Sequence, residues 1–181
     1  MSENVIEERG DYRVRVEYDS DSADEFPDWI QSAVIPMSDR SLSYNDDYGY
    51  TDLIRGKWSH RRSEVIDRWL RIFHDVRAVT QVSLRAGDYL VLLTEVARKY
   101  YGTPDDHLQE CVDGDAEAFR QWAEGEVYGY VIEERASWRR VGGDPGDTMD
   151  TWEIVDSLWG LYGSEYAEQE AREALSAMVT S

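Results

Sequence analysis

The stretch EVYGYVIEE, Glu126 to Glu134, is a run of Val, Ile and Tyr with strand character and alternating faces. WEIVDSLW, Trp152 to Trp159, reads the same way, so the two are expected to pair. The segment between them, ASWRRVGGDPGDTMDT, is dense in Gly, Pro and Asp and too long for a tight turn, which predicts an exposed loop over 135–151. Beyond the second strand, VDSLWGLYG (Val155 to Gly163) sets Trp159 and Tyr162 among glycines, and Ser164 then opens a helix. This is a strand-to-helix corner. Its aromatics read as core plugs beneath the corner, with an exposed aromatic anchor as the alternative. In the helix, SEYAEQEAREALSAMV, residues Ala167, Ala171, Ala174, Leu175 and Met178 form a narrow apolar stripe suited to close packing on a sheet.

Upstream, YRVRVEY (Tyr12 to Tyr18) alternates Tyr12, Val14, Val16 and Tyr18 against Arg13, Arg15 and Glu17, as a half-buried antiparallel strand does. The acidic residues 1–10 before it are expected to be flexible. DSDSADEFPDW after it reads as loop, pinned by Phe26 and Trp29, and residues 36–58 are irregular and rich in Tyr, Ser and Asp. Val65, Ile66, Trp69, Leu70, Ile72 and Phe73 recur at helical spacing, predicting a helix over 63–73. Residues 76–84 and 89–93 read as a hairpin turning at Arg85-Ala86-Gly87-Asp88. Thr94 is placed to cap a short helix, EVARKYY, that Gly102 ends. Thr103-Pro104-Asp105-Asp106 then predicts the start of a helix running to 124, with Leu108, Cys111, Val112, Ala116 and Phe119 on its buried side. The expected fold is α+β: a single domain over 1–181, with one antiparallel sheet packed by three or so helices.

Composition narrows the function classes. Seven Trp, twelve Tyr and a hydrophobic fraction of 41% are too much for a disordered acidic chain. One cysteine, Cys111, excludes an internal disulfide, and MSENVIEERG lacks a signal-peptide core, which points to the cytoplasm. The longest apolar run, Tyr89 to Leu93, is far short of the ~20 residues of a membrane span. The net charge of −19 is distributed as −7 over residues 1–30, +2 over 31–100 and −14 over 101–181. Such a field repels nucleic acid and steers cationic partners inward.

GEVYGYVIE, VDSLWGLYG and EYAEQEAREAL together resemble a family of small uncharacterised proteins of phage and prophage genomes, of the type infecting actinobacteria. Members carry a GDVYGYVVE strand, a DSCWGFYG corner and an EYAxxEAREAL helix, and the resemblance runs from about Tyr100 to Leu175. Here Leu158 stands where a cysteine is usual and Leu161 where a phenylalanine is usual, and the loop between the strands is longer. These apolar-for-apolar exchanges favour packing at the corner over thiol chemistry. The resemblance implies a phage or prophage origin and an accessory role in a bacterial host's cytoplasm, and it carries over no catalytic residue.

Asp144, Asp147 and Asp150 are spaced at three in GGDPGDTMD, a pattern weighed as a hard-cation loop and read as solvated. His60, His74 and His107 are too scattered for a zinc site. Asp156 shares strand parity with Ile154 and Leu158; if that face is core, it is expected to accept hydrogen bonds from backbone or a nearby Tyr or Arg rather than to act as a general base. RGKWSHRRSEVIDRWLR, Arg55 to Arg71, interleaves bases with Trp58 and Trp69; it is expected to pair with the acidic ends rather than bind single strands. No enzymatic activity, cofactor or metal is expected. The leading expectation is a protein that binds and inhibits a host factor with a basic surface, its carboxylates imitating DNA phosphates. The residues proposed for that contact are Asp105, Asp106, Glu110, Asp113, Asp115 and Glu117 in the 103–124 helix, with Glu165 and Glu168 on the last one. The first alternative is a non-mimetic interaction module recognising its partner by shape and aromatic side chains through residues 36–58 and the 135–151 loop, and the second a small enzyme or nucleic-acid binder using the basic segment around Arg61 and Arg62.

Overall fold

The computed structural model describes residues 4–22, 25–38, 42–46, 49–57, 63–139, 142 and 148–180. The fold is α+β. Its strands, expected in one sheet, divide between two antiparallel sheets, and the chain forms two compact units: residues 1–25 with 125–181, and residues 26–124.

In the first unit the strands β1 (Val5–Arg9), β2 (Tyr12–Tyr18), β6 (Val127–Arg139) and β7 (Thr148–Tyr162) lie in the order β1-β2-β6-β7. Residues 5–9, expected to be flexible, are thus a strand paired with β2. The β6–β7 hairpin forms as expected but runs longer, so that 135–139 and 148–151 of the expected loop are strand. Helix α5 (Ser164–Thr180) lays Ala167, Ala171 and Leu175 onto Val14, Val16, Tyr130, Ile132 and Leu161. Alanines at this spacing let the helix approach the sheet closely, and each fully buried Val, Ile or Leu contributes about 1.5–3 kcal/mol.

The face of β2 opposite the valines is partly exposed, as the half-buried reading expects, and carries a charged cluster. The Glu133 carboxylate lies 2.7 Å from Arg13 Nε and 3.4 Å from Arg15 Nε, and the Arg13 guanidinium sits 4.4 Å over the Trp152 ring. At the corner, Asp19 Oδ2 accepts from Gly160 N at 3.0 Å, while Oδ1 accepts from Ser22 N and Asp21 N at 3.0 and 3.2 Å. Burial pushes the Asp19 carboxyl up, but these bonds outweigh it and hold it below the ordinary carboxylate range. Gly160, at φ 77°, takes a left-handed conformation that a side chain would resist.

In the second unit β3 (Ala33–Pro36), β5 (Gly87–Thr94) and β4 (Val76–Leu84) form a sheet with β5 central. From Tyr89 to Leu93 β5 is apolar because both of its faces are covered. Tyr89, Val91 and Leu93 meet Val112, Ala116 and Phe119 of α4 (Leu108–Ala123). Leu90 and Leu92 meet Ile54 of α1 (Tyr50–Lys57) and Ile66 and Leu70 of α2 (Ser63–Phe73). The β4–β5 hairpin turns at Arg85-Ala86 as expected. β3 and α1 were not foreseen; α1 starts where both Asp46 carboxylate oxygens accept main-chain N–H bonds, from Tyr50 at 2.7 Å and Thr51 at 2.8 Å. Phe26 pins its loop by stacking on Tyr44 with centroids 4.7 Å apart, whereas Trp29 is exposed.

Helix α3 (Glu95–Tyr101) is capped by Thr94, whose Oγ1 accepts from Ala97 N at 3.1 Å, and is ended by Gly102 at φ 66°. The next helix starts at Leu108, not at Thr103. Thr103 N donates to Arg98 O at 3.1 Å, and the Arg98 side chain holds Thr103 O at 3.2 Å and Asp105 at 3.1 Å. The C-terminal cap of α3 therefore engages the residues that would have begun α4.

Glu95 receives Arg77 at 2.6 Å and Arg98 at 3.0 Å, and these bonds hold its carboxyl down to about 2 from 4.5. A depressed carboxyl contributes stability above its unfolded pKa and loses it as pH falls through the folded one. Stability is therefore expected to drop between about pH 4.5 and 2. Glu95→Gln should flatten that part of the acid limb, as read by urea unfolding at stepped pH.

Candidate interaction surface

The acidic residues expected to meet a partner are not equivalent. Asp115 is buried: its carboxylate accepts from Ser32 N at 3.1 Å, and burial pushes it up despite that bond. It cannot touch a partner without unfolding its surroundings, which corrects its assignment to the contact set. Glu117 is tied to Arg120 at 2.7 Å and to Gln121 at 3.0 Å, and Asp105 to Arg98. Asp113 accepts from Gln109 Nε2 at 3.0 Å and from Thr80 Oγ1. Asp106 neighbours His107 at 3.0 Å, and Glu168 is paired with Arg172 at 2.9 Å. Glu110 and Glu165 are exposed. Paired carboxylates present less net charge than a phosphate row, so a charged face is only partly built here.

The remaining candidates settle individually. Asp144 and Asp147 lie outside the described residues, and Asp150 accepts from Ser137 Oγ. Among the described residues no three His, Cys, Asp or Glu side chains are grouped to hold a metal ion. His60, Trp58, Arg61 and Arg62 also lie outside the described residues. His74 packs against Trp69 with centroids 4.2 Å apart and the rings tilted by 55°. In the basic segment Arg71 pairs with Asp67 of its own helix at 2.6 Å rather than with an acidic end, and Trp69 packs against the core. Burial pushes the Cys111 thiol up, which disfavours the nucleophilic thiolate. Asp156 is exposed rather than inward, because β7 is an edge strand and its parity does not decide burial. Trp159 is half-exposed, one side of its ring lying against Gly129, while Leu161 is the buried residue of the corner. No described helix is long and apolar enough to cross a membrane.

What the second unit does expose is apolar surface along α3. Val96 and Tyr100 stand one turn apart, on a different side of the helix from the buried Ala97, and are 57% and 77% exposed. Val96 forms the ridge between two clefts. One, of about 240 Å³, is lined by Asp28, Gln31, Asn45 and Tyr100 among others; the second, of about 430 Å³, by Tyr50, Phe73, His74 and Lys99. Phe73 is exposed, and Asp75 beside it adopts a φ of 27°, rare for a residue other than glycine. Between the clefts Glu95 takes Arg77, Arg98 and Lys99, and Arg98 also reaches Asp105, which leaves a small cationic excess. A ridge with apolar tips beside concavities offers shape and apolar surface to a partner. The sequence signal was there in EVARKYY: Val96 and Tyr100 at i, i+4 form an apolar pair that the Ala97 side cannot also bury.

No protein-family model, no curated protein and no solved structure matches this chain.

Proposed function

We propose that this chain is a protein-binding accessory protein that occupies a partner through the α3 ridge and its two flanking clefts, by shape and apolar contact rather than by imitating nucleic acid. The observation that supports this reading is the pair Val96 and Tyr100, exposed on a short helix between two clefts. Large exposed apolar side chains beside concavities are the usual anchors of a protein interface. The phage or prophage setting, with a host protein as the partner to be inhibited, rests on the resemblance of the C-terminal segment. A charged contact through Asp106, Glu110 and Glu165 is the second reading, favoured by their exposure and the net charge of −19.

Capture of proteins from an actinobacterial lysate by the tagged chain separates the two. Val96→Ser with Tyr100→Ser is expected to weaken capture of the specific protein by at least about tenfold, with the far-ultraviolet spectrum unchanged. Asp106→Lys with Glu110→Lys should leave capture nearly intact at physiological salt. Retention by the ridge variant, together with loss in the charge variant and at high salt, would overturn the ridge reading in favour of mimicry.

A further inference from the structure

The first unit carries a second surface of a different kind, independent of the ridge. A sheet edge is a template for another strand, and proteins ordinarily keep such edges short, charged or covered. β1 follows that rule: it has five residues, among them Glu7, Glu8 and Arg9. β7 does not. It has fifteen residues and, among the described residues, pairs only with β6. Ile154, Val155, Leu158 and Trp159 are 63%, 43%, 44% and 43% exposed. An open edge of this length with four apolar side chains is suited to strand addition.

The two faces at this edge differ, and the difference selects an occupant. The cross-strand register places Glu153 opposite Glu134, Asp156 opposite Ile132 and Leu158 opposite Tyr130, on the face that α5 covers further in. Asp156 and Glu170 both act on Tyr130 and help to raise its phenol. Glu134 and Glu153 are like charges directly opposite each other, a pairing that costs stability until a cation intervenes. On the other face, Ile154 lies opposite Glu133, Trp152 opposite Arg135, and Trp159 against Gly129. On β7 one face thus carries Glu153, Asp156 and Leu158, and the other carries Trp152, Ile154 and Trp159 beside the Arg13–Glu133 pair. β7 itself contains Asp150, Glu153 and Asp156 and no basic residue. A second copy paired antiparallel about the strand's middle would bring Glu153 towards its counterpart's Asp156, so self-pairing is disfavoured.

We propose that the β7 edge binds an extended segment of a partner protein in which Lys or Arg alternates with apolar residues, adding it as a fifth strand. Main-chain bonds to the open side of β7 hold the segment, its cations meet Glu153, Asp156 and Glu134, and its apolar side chains cover Trp152, Ile154 and Trp159.

The test uses the full chain with an end-blocked peptide of alternating lysine and valine, eight residues long. Binding is followed by titration calorimetry and by amide hydrogen exchange. The expected result is saturable binding with slowed exchange confined to residues near 151–159. Affinity should fall by about tenfold or more for Glu153→Lys with Asp156→Lys, and for a block peptide of four lysines followed by four valines. Equal affinity for the block peptide would reduce the effect to bulk charge and overturn the proposal. So would absence of saturable binding, protection located elsewhere, or protection of 151–159 that rises with protein concentration without peptide, which would mark a second copy as the occupant. Since the ridge variant Val96→Ser with Tyr100→Ser should bind the peptide normally, failure here and failure of the ridge reading remain distinguishable.

Discussion

Glu133→Ala is expected to cost about 3–5 kcal/mol, the range for removing one partner of a buried ion pair. The Glu133 side chain is 7% exposed and its two cations, Arg13 and Arg15, are 11% and 20% exposed. Removing the carboxylate leaves two guanidinium groups facing each other in a low-dielectric pocket. Two compensations pull the cost towards the lower end: Arg15 also contacts Glu17, and Arg13 keeps its seat over the Trp152 ring. Against a total stability of about 5–15 kcal/mol this is a large share, so the urea midpoint should fall steeply with little change in slope. Replacing the pair together, Arg13→Met with Glu133→Leu, should recover part of the loss, because matched apolar residues avoid the desolvation that the ions pay. A loss under about 1 kcal/mol for Glu133→Ala would mean that water reaches the cluster and that the pair behaves as a surface one.

This cluster also shows where sequence reasoning stopped. YRVRVEY correctly places Val14 and Val16 inward, since alternation reports one buried face, but it cannot reveal that Glu133 gathers Arg13 and Arg15 into a cluster on the opposite face. The same limit explains the division into two sheets. Residues 12–18, 76–84, 89–93 and 127–134 are all strands as expected, yet which strands pair is decided by contacts distant in the chain, as when Tyr12 meets Glu134. Helix α5 was fully legible because its stripe of Ala167, Ala171 and Leu175 is local. The start of α4 was not, because Thr103 and Asp105 are engaged by Arg98 from the preceding helix, an interaction that capping preferences at 103–106 do not contain. Within the candidate site, the burial of Asp115 could have been found from spacing: it stands three residues after Val112 and four before Phe119, on the apolar side of α4. Parity failed for Asp156 because the register shifts between Ile132 and Glu133, setting Asp156 and Ile154 on opposite faces, and because β7 lies at the sheet edge.

Gly129→Ala is expected to destabilise the first unit by about 2–3 kcal/mol, at the upper part of the range for an overpacked site. Gly129 is buried near the start of β6, and its backbone angles are ones any residue can adopt, so the cost is purely one of space. In an open strand the same change would be neutral or favourable, because alanine loses less chain entropy than glycine on folding. Here the added Cβ would fall inside the contact shell of the Trp159 ring, 2.6 Å from Cδ2 and closer to Cε3, and 2.8 Å from Leu158 O. The ring is half-exposed and can swing outward, but Leu158 O belongs to the paired strand, so β7 itself must move. The double variant Gly129→Ala with Trp159→Ala apportions these two obstacles. If the ring dominates, the alanine should cost little once Trp159 is gone; if the carbonyl dominates, the cost should persist undiminished. Thermal unfolding reads the stability, and indole fluorescence reports whether the ring has left its seat. The prediction fails if Gly129→Ala is neutral with the fluorescence unchanged. The YGY triplet has a packing reason, since glycine within a strand marks close approach by a neighbour, here the Trp159 ring. That seat lies one residue before the positive-φ Gly160, whose N–H is held by Asp19. The ring and the aspartate together hold β7 at the end of its exposed edge, so a variant that unseats the ring should also weaken whatever that edge binds.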